Sequence, residues 1–280
     1  MTKLGHEVIG IDNFFHPSKN PNNIKIQQLD IRDVNVENLV AWADIVYHLA
    51  AQIHVDYSIQ NPVETFDINV NGTIKILEAC RKYGKKLVFA SSSEIYGTAQ
   101  EDQIAEYHPL RPQSPYAVTK VTGDQLCQVY KDIYGMNIDV IRNFNTFGPF
   151  QNDTSYGGVI AIFTKKALEN EPLEIYGSGE QQRDYMYIDD ALQGYLMSLT
   201  TNLRQPTNFG TGRTISINRL AEMIKSITNS DSPIVHVAPR PGEVMKLQAD
   251  ITVAKSLGFE PTTDFERDLA RYIHWYQEDS

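Results

Sequence analysis

An α/β fold with a doubly wound parallel sheet, followed by a smaller C-terminal lobe, is the architecture the sequence predicts. Three observations point to it. Short apolar runs rich in Val and Ile recur through the first half, nearly continuous rather than alternating, as in strands buried on both faces. Helical segments separate these runs, and strand–helix alternation builds a parallel sheet with helices on both sides. After about residue 150 the pattern loosens into longer loops carrying the turn signals GSGE, GTGR and RPGE.

The elements follow in order. EVIGID (7–12), IKIQQLDI (24–31), DIVYHLAA (44–51), KLVFASSS (86–93) and MNIDVIRNFN (136–145) read as strands. VNVENLVAWA (34–43), a long stretch from Pro62 to Tyr83 and another from Pro115 to Tyr134 read as helices. Gly84 and Gly135 stand where helix C-caps are expected. In the second half, Asp250 precedes a short capped helix, ITVAKSLG, and Phe265 to Gln277 form a last amphipathic helix. The expected organisation is a dinucleotide-binding domain over 1–150 and a substrate-binding lobe over 151–280, packed against it.

Composition excludes several classes. Apolar residues make up 41% and charged residues 21%, the balance of a globular chain rather than a disordered one. The formal charge of -10 argues against nucleic acid as a partner, because phosphate-backbone affinity needs a basic surface. Cys80 and Cys127 alone make neither a disulfide scaffold nor a zinc cluster, and fit a reducing, cytoplasmic setting. No apolar run is long enough to span a membrane, and MTKLGHEVIG lacks the apolar core of a secretory signal. The seven histidines show no metal-ligand spacing, and His48, within a strand, reads as a packed core residue.

The chemistry concentrates in SPYAVTK (114–120). Ser114 suits a helix N-cap and Pro115 the first helical position, so Tyr116 and Lys120 fall one turn apart on one face. An ammonium beside a phenol favours the phenolate, so Lys120 is expected to lower the Tyr116 pKa toward a range useful for acid/base work. A surface Tyr/Lys pair has the same spacing, but KLVFASSSEIYG places three serines at the carboxyl end of a strand, where open α/β sheets bind ligands.

Taken together, GHEVIGIDNF, LDIRD, VYHLAAQ, INVNGT, ASSSEIYG, SPYAVTK, RNFNTFGP, GEQQRDYMYIDD and RPGEV resemble, in order and along nearly the whole chain, the extended short-chain dehydrogenase/reductases that act on nucleotide sugars. The resemblance implies a Rossmann-like doubly wound sheet and NAD as cofactor. It makes Tyr116 the acid/base residue, Lys120 its partner and a ribose contact, and Ser92 the catalytic hydroxyl, with Ser93 and Glu94 following. Asp12 would hold the adenosine ribose, and an acid there favours NAD over NADP. Asp30 and Ile31 would border the adenine, and Leu49, Ala50, Ala51 and Asn69 would line the cofactor groove. Phe144 would meet the nicotinamide and Asn145 the substrate. Arg183 and Arg240 would neutralise a sugar-nucleotide diphosphate, and Tyr176 would stack on its base. Relatives dimerise through the helix carrying Tyr116, where Val121, Leu126, Val129 and Ile133 suit a homodimer seam.

One departure from the family pattern bears on the cofactor. The family opens on a strand and a G-x-x-G-x-x-G turn, whereas MTKLG matches the end of the helix after that turn. The sheet is therefore expected to lack its first strand and the cofactor its pyrophosphate donors, weakening NAD binding by this chain. A non-catalytic nucleotide-sugar binder is the corresponding alternative. Among reactions, Ser92-Ser93-Glu94 lacks the Asp-Glu pair of a 4,6-dehydratase. The reading is a NAD-dependent 4-epimerase of a UDP-hexose, with 4,6-dehydration or uronate decarboxylation as the alternative.

Overall fold

Val36 and Val40, Ile76, Leu77 and Cys80, Leu87 and Phe89, Cys127, Ile138 and Val140 close one hydrophobic core. Phe147, Phe163, Ile175, Tyr185, Leu220, Ile224 and Tyr272 belong to a second. The structure is a computed structural model that describes residues 1–15, 24–154 and 157–279. Its two compact units follow these cores. The first comprises Met1–Ile95, Ser114–Ile141 and Tyr195–Pro206, and the second comprises Tyr96–Gln113, Arg142–Gly194 and Thr207–Ser280.

The expected division at residue 150 is thereby corrected. The segment 96–113 belongs with the second unit because its backbone is bonded there: Ala99 N–H donates to Lys246 O, Ile104 N–H to Gln248 O, and Asp250 N–H to Ile104 O. No shift in composition marks that excursion.

In the first unit, β1 (Ile9–Asp12) pairs in parallel with β2 (Lys25–Gln28), from Ile9 opposite Lys25 to Asp12 opposite Gln28. Then come α1 (Val36–Trp42), β3 (Ile45–His48), α2 (Val55–Gln60), α3 (Pro62–Phe66), α4 (Gly72–Tyr83), β4 (Lys86–Ser92), α5 (Pro115–Tyr134) and β5 (Ile138–Asn143). β4 lies between β3 and β5, and β3 runs parallel to it with Ile45 opposite Lys86 and His48 opposite Phe89. This is the α/β, Rossmann-like arrangement expected. Leu87–Ser91 of β4 are buried, whereas every residue of β1 and Ile45–Tyr47 of β3 are half-buried.

The helix ends obey local rules. Ser114 Oγ accepts the Ala117 N–H at 3.1 Å, and Gly135 closes α5 at φ 64°, a left-handed conformation that costs glycine little. Gly84 closes α4 in the same way at φ 62°. The stretch 62–83 is not one helix: a π turn over Asp67–Asn71 separates α3 from α4. Burial pushes the Cys80 thiol up to about 12 and raises that of Cys127 as well, so both are unreactive.

The second unit continues with β6 (Asn145–Phe147), α6 (Val159–Leu168), β7 (Leu173–Tyr176), β8 (Gln182–Arg183), β9 (Tyr185–Tyr187), and α7 (Ile188–Met197), whose last turn falls in the first unit. It ends with β10 (Thr207–Phe209), β11 (Ile215–Ser216), α8 (Ile217–Thr228), β12 (Ile234–Val237), β13 (Lys246–Leu247), α9 (Thr252–Ser256) and α10 (Phe265–Asp279). β6 pairs with β9, β7 with β12, and β8 lies between β11 and β13. Asp250 Oδ1 accepts the Thr252 N–H at 2.8 Å just ahead of α9, but the N-cap is Ile251 and no side chain caps the helix, which corrects the expected Asp250 cap. Among the described residues, no helix is long and apolar enough to cross a membrane.

Candidate active site

The site begins where α5 crosses β4. A Cβ at Gly123 would lie 2.6 Å from Phe89 Cζ, so glycine there permits the close approach. One turn earlier on α5, the Lys120 ammonium lies 5.3 Å from the centre of the Phe89 ring and donates to Ala90 O at 2.8 Å. One further turn toward the N-terminus is Tyr116. Its phenol is hydrogen-bonded to Ser92, the last residue of β4. Ser92 Oγ also accepts the Glu94 N–H at 3.2 Å.

Strand alternation sorts the three serines. Ser91 turns to the buried Asp124, donating to Oδ2 at 2.9 Å, whereas Ser92 reaches the phenol. Ser93 is buried at the start of a 3₁₀ turn over Ser93–Tyr96, and Glu94 lies close enough for its charge to act on Tyr116.

Burial dominates the electrostatics. It pushes the Tyr116 phenol up to about 12, the Ser92 hydrogen bond opposing and the Glu94 and Tyr195 charges reinforcing the shift. Burial also brings the Lys120 ammonium down to about 8. The expectation that Lys120 lowers the phenol is therefore corrected: its ammonium is turned to a backbone carbonyl, and desolvation governs both groups. His48 is held down to about 3 by burial, aided by the Lys120 charge, and is neutral. Its Nε2 bonds Thr73 Oγ1 at 2.9 Å, consistent with a packed histidine.

The cofactor-side residues divide in two. Asp12 Oδ1 accepts the Phe14 N–H at 2.7 Å, and Leu49 and Ala50 are exposed with Ala51 half-buried beside them. The others are committed to protein. Asp30 accepts from Arg32 N, Nε and Nη2 and from Asn13 Nδ2, and Arg32 holds its carboxyl far below the usual carboxylate range. Arg32 also bridges to Asp67. Ile31 is buried in the first core, its Cδ1 only 2.5 Å from where a Gly72 Cβ would lie. The Asn69 side chain accepts the Gln52 N–H at 2.8 Å and donates to Gln52 O and Thr119 Oγ1, both at 2.9 Å. The π turn over Asp67–Asn71 carries it.

The second unit holds the remaining candidates. Phe144 is buried and stacked on Tyr96 with ring centres 6.4 Å apart. Asn145 N–H donates to Asp184 O, while its buried Oδ1 has no hydrogen-bond partner among the described residues. Arg183 is paired with Glu243 at 2.8 Å and donates to Val244 O at 2.6 Å. The Arg240 guanidinium stacks 3.8 Å from the Tyr176 ring centre. Thus Ser92, Glu94, Tyr116 and Lys120 gather in the first unit, and Tyr176 and Arg240 gather in the second.

Sequence reasoning overlooked Ser58, Thr119 and Arg32. Thr119 lies inside SPYAVTK and Arg32 inside LDIRD, two residues from Asp30, and both could have been noticed there; Ser58 gains its role only through tertiary contacts.

A family model described as GDP-mannose 4,6 dehydratase matches residues 6–272. The chain belongs to this nucleotide-sugar epimerase/dehydratase family of extended short-chain dehydrogenase/reductases. It is 38% identical, over 96% of its length and 90% of the relative's, to a Methanocaldococcus jannaschii protein named "Putative UDP-glucose 4-epimerase". The UDP-glucose 4-epimerase of Thermotoga maritima, solved with UDP-glucose, superposes at a TM-score of 0.93 with 31% identity, over 99% of this chain and 93% of that one. The Thermus thermophilus UDP-glucose 4-epimerase, solved with NAD, gives 0.92 with 28% identity, over 100% and 94%. Members of the family are enzymes.

Proposed function

We propose that the protein is a NAD-dependent 4-epimerase of a UDP-hexose, working through a transient 4-keto sugar. The observation that carries this reading is the Ser92–Tyr116 hydrogen bond at the carboxyl end of β4, with Ser93 where a dehydratase has an acid. Similarity to two solved UDP-glucose 4-epimerases supports the sugar nucleotide.

The residues at the nicotinamide end fit NAD. Lys120 is buried and among the described residues its one hydrogen bond goes to Ala90 O, which leaves ammonium protons for ribose hydroxyls. Asp12 Oδ2 makes no hydrogen bond among the described residues and suits the other ribose. Leu49, Ala50 and Ala51 supply apolar lining, and Phe144 remains the candidate nicotinamide contact. Asp30 would border the adenine through its backbone, since its carboxylate is held by Arg32, and Ile31 and Asn69 would shape the groove from within the core.

When bound, NAD supplies a hydride acceptor for sugar C4 and a positive ring charge. Tyr116 takes the proton from the C4 hydroxyl while Ser92 donates a hydrogen bond to the same oxygen; when the carbonyl is reduced, Tyr116 returns the proton and Ser92 still holds the oxygen. A phenol near 12 is almost wholly protonated at neutral pH and leaves little phenolate to act as a base, so a positive charge in the filled site is needed to counter its burial. Asn145, with its unpartnered Oδ1, would meet a sugar hydroxyl. Tyr176 and Arg240 would take the base and diphosphate; Arg183 would join them only by exchanging Glu243 for phosphate.

Glu94 sustains a second reading, 4,6-dehydration or uronate decarboxylation, because its charge reaches Tyr116. Product analysis by NMR with UDP-glucose and UDP-glucuronate separates the readings. We expect a 4-epimer from wild type and, within about threefold, from Glu94→Gln. A 4-keto-6-deoxy sugar or a pentose product, lost in Glu94→Gln, would establish the alternative. Sugar nucleotide recovered from purified protein without NAD would indicate a binder. We place the enzyme in the cytoplasm as a homodimer joined along α5, where Val129 and Ile133 are exposed while Leu126 and Val121 are half-buried. Light scattering should show Ile133→Glu as a monomer.

A further inference from the structure

Tyr116 is anchored through its own peptide group. Its N–H donates to Ser58 Oγ at 3.1 Å, and its C=O accepts from Thr119 Oγ1 at 2.7 Å. The proton count fixes both hydroxyls. Ser58 donates its one proton to Val55 O at 2.6 Å in α2, so toward Tyr116 it accepts. Thr119 donates its proton to Tyr116 O, so it accepts from Asn69 Nδ2 at 2.9 Å, in the π turn. Asn69 in turn clamps both backbone polar groups of Gln52, in the loop after β3. Ser58, Asn69 and Thr119 are all buried.

From this arrangement we infer that Ser58 and Thr119 are positioning residues, two hydroxyls that set the angle at which Tyr116 leaves α5. The inference rests on the proposed acid/base role of Tyr116. The ordinary N-cap, Ser114 with the Ala117 N–H, already serves the helix, so these bonds are additional and act on the one residue whose side chain reaches Ser92. Each ties Tyr116 to a different neighbour, α2 on one side and the π turn on the other. A phenol is a long lever, so a small rotation at its peptide moves the reacting oxygen far more than the backbone. The π turn itself gains a reason: it presents Asn69 to Gln52 and Thr119 together.

The test uses protein labelled with [ζ-13C]tyrosine, the Tyr116 resonance being assigned by its loss in Tyr116→Phe. Thr119→Val keeps the side-chain shape and removes the hydroxyl; Thr119→Ser keeps the hydroxyl; Ser58→Ala removes the other bond. We expect Thr119→Val and Ser58→Ala to shift or broaden the Tyr116 signal at pH 8. They should lower kcat about 10- to 100-fold with KM for the sugar nucleotide little changed, and Thr119→Ser should restore both. A Tyr116 signal and kcat unchanged in Thr119→Val would overturn the inference, as would losses that follow thermal stability alone. Should Ser58→Ala not fold, the threonine pair decides. Should wild type turn over no nucleotide sugar, the functional reading fails while the resonance still decides the positioning role.

Discussion

Desolvation sets the charge states of Tyr116 and Lys120 before any ligand arrives. The ammonium, brought from 10.5 to about 8 by burial, is held less readily in the folded chain than in the unfolded one. Between those values the unfolded state binds the extra proton, so stability rises with pH across that window, and below about pH 8 the full burial cost is felt. Replacing Lys120 with Met removes this dependence. Denaturant titration should show wild type gaining about 2 kcal/mol relative to Lys120→Met between pH 8 and pH 10, with a flat difference contradicting it. At this scale the proposed catalytic residues could be named because SPYAVTK and ASSSEIYG are contiguous motifs. Arg183 was harder, since Glu243, remote in sequence, holds it, whereas the partner of Asp30, Arg32, lies two residues on within LDIRD.

Helix α5 positions the chemistry, and its packing against β4 is the weak point to probe. Gly123→Ala places a methyl 2.6 Å from Phe89 Cζ, which must give way or push the helix outward. Calorimetry should show a loss of about 1–3 kcal/mol, together with lower turnover because Lys120 and Tyr116 ride on the same helix. Ser114, Pro115 and Gly135 made both ends of α5 readable, as each acts within one turn. The stretch 62–83 was less so. A π turn has no propensity signature; it forms here where Asn69 finds Gln52 and Thr119. For the same reason α2, six residues long, escaped notice.

Across the whole molecule, two cores underlie the two units, and the chain passes between units several times. The strands of the first half and their order along the chain were legible from periodicity, and the family from motif order, whereas the short strands from β6 to β13 were not. The assignment of 96–113 was not, because backbone bonds to Lys246 and Gln248 decide it across more than a hundred positions of sequence. Removal and return of hydrogen at one sugar carbon is the reaction proposed for this chain. Incubation with NAD and UDP-glucose deuterated at C4 tests that most directly. We predict UDP-galactose with deuterium retained at C4, and no product from Tyr116→Phe. No 4-epimer from wild type, or a 4-epimer whose formation survives loss of the Tyr116 phenol, would contradict it.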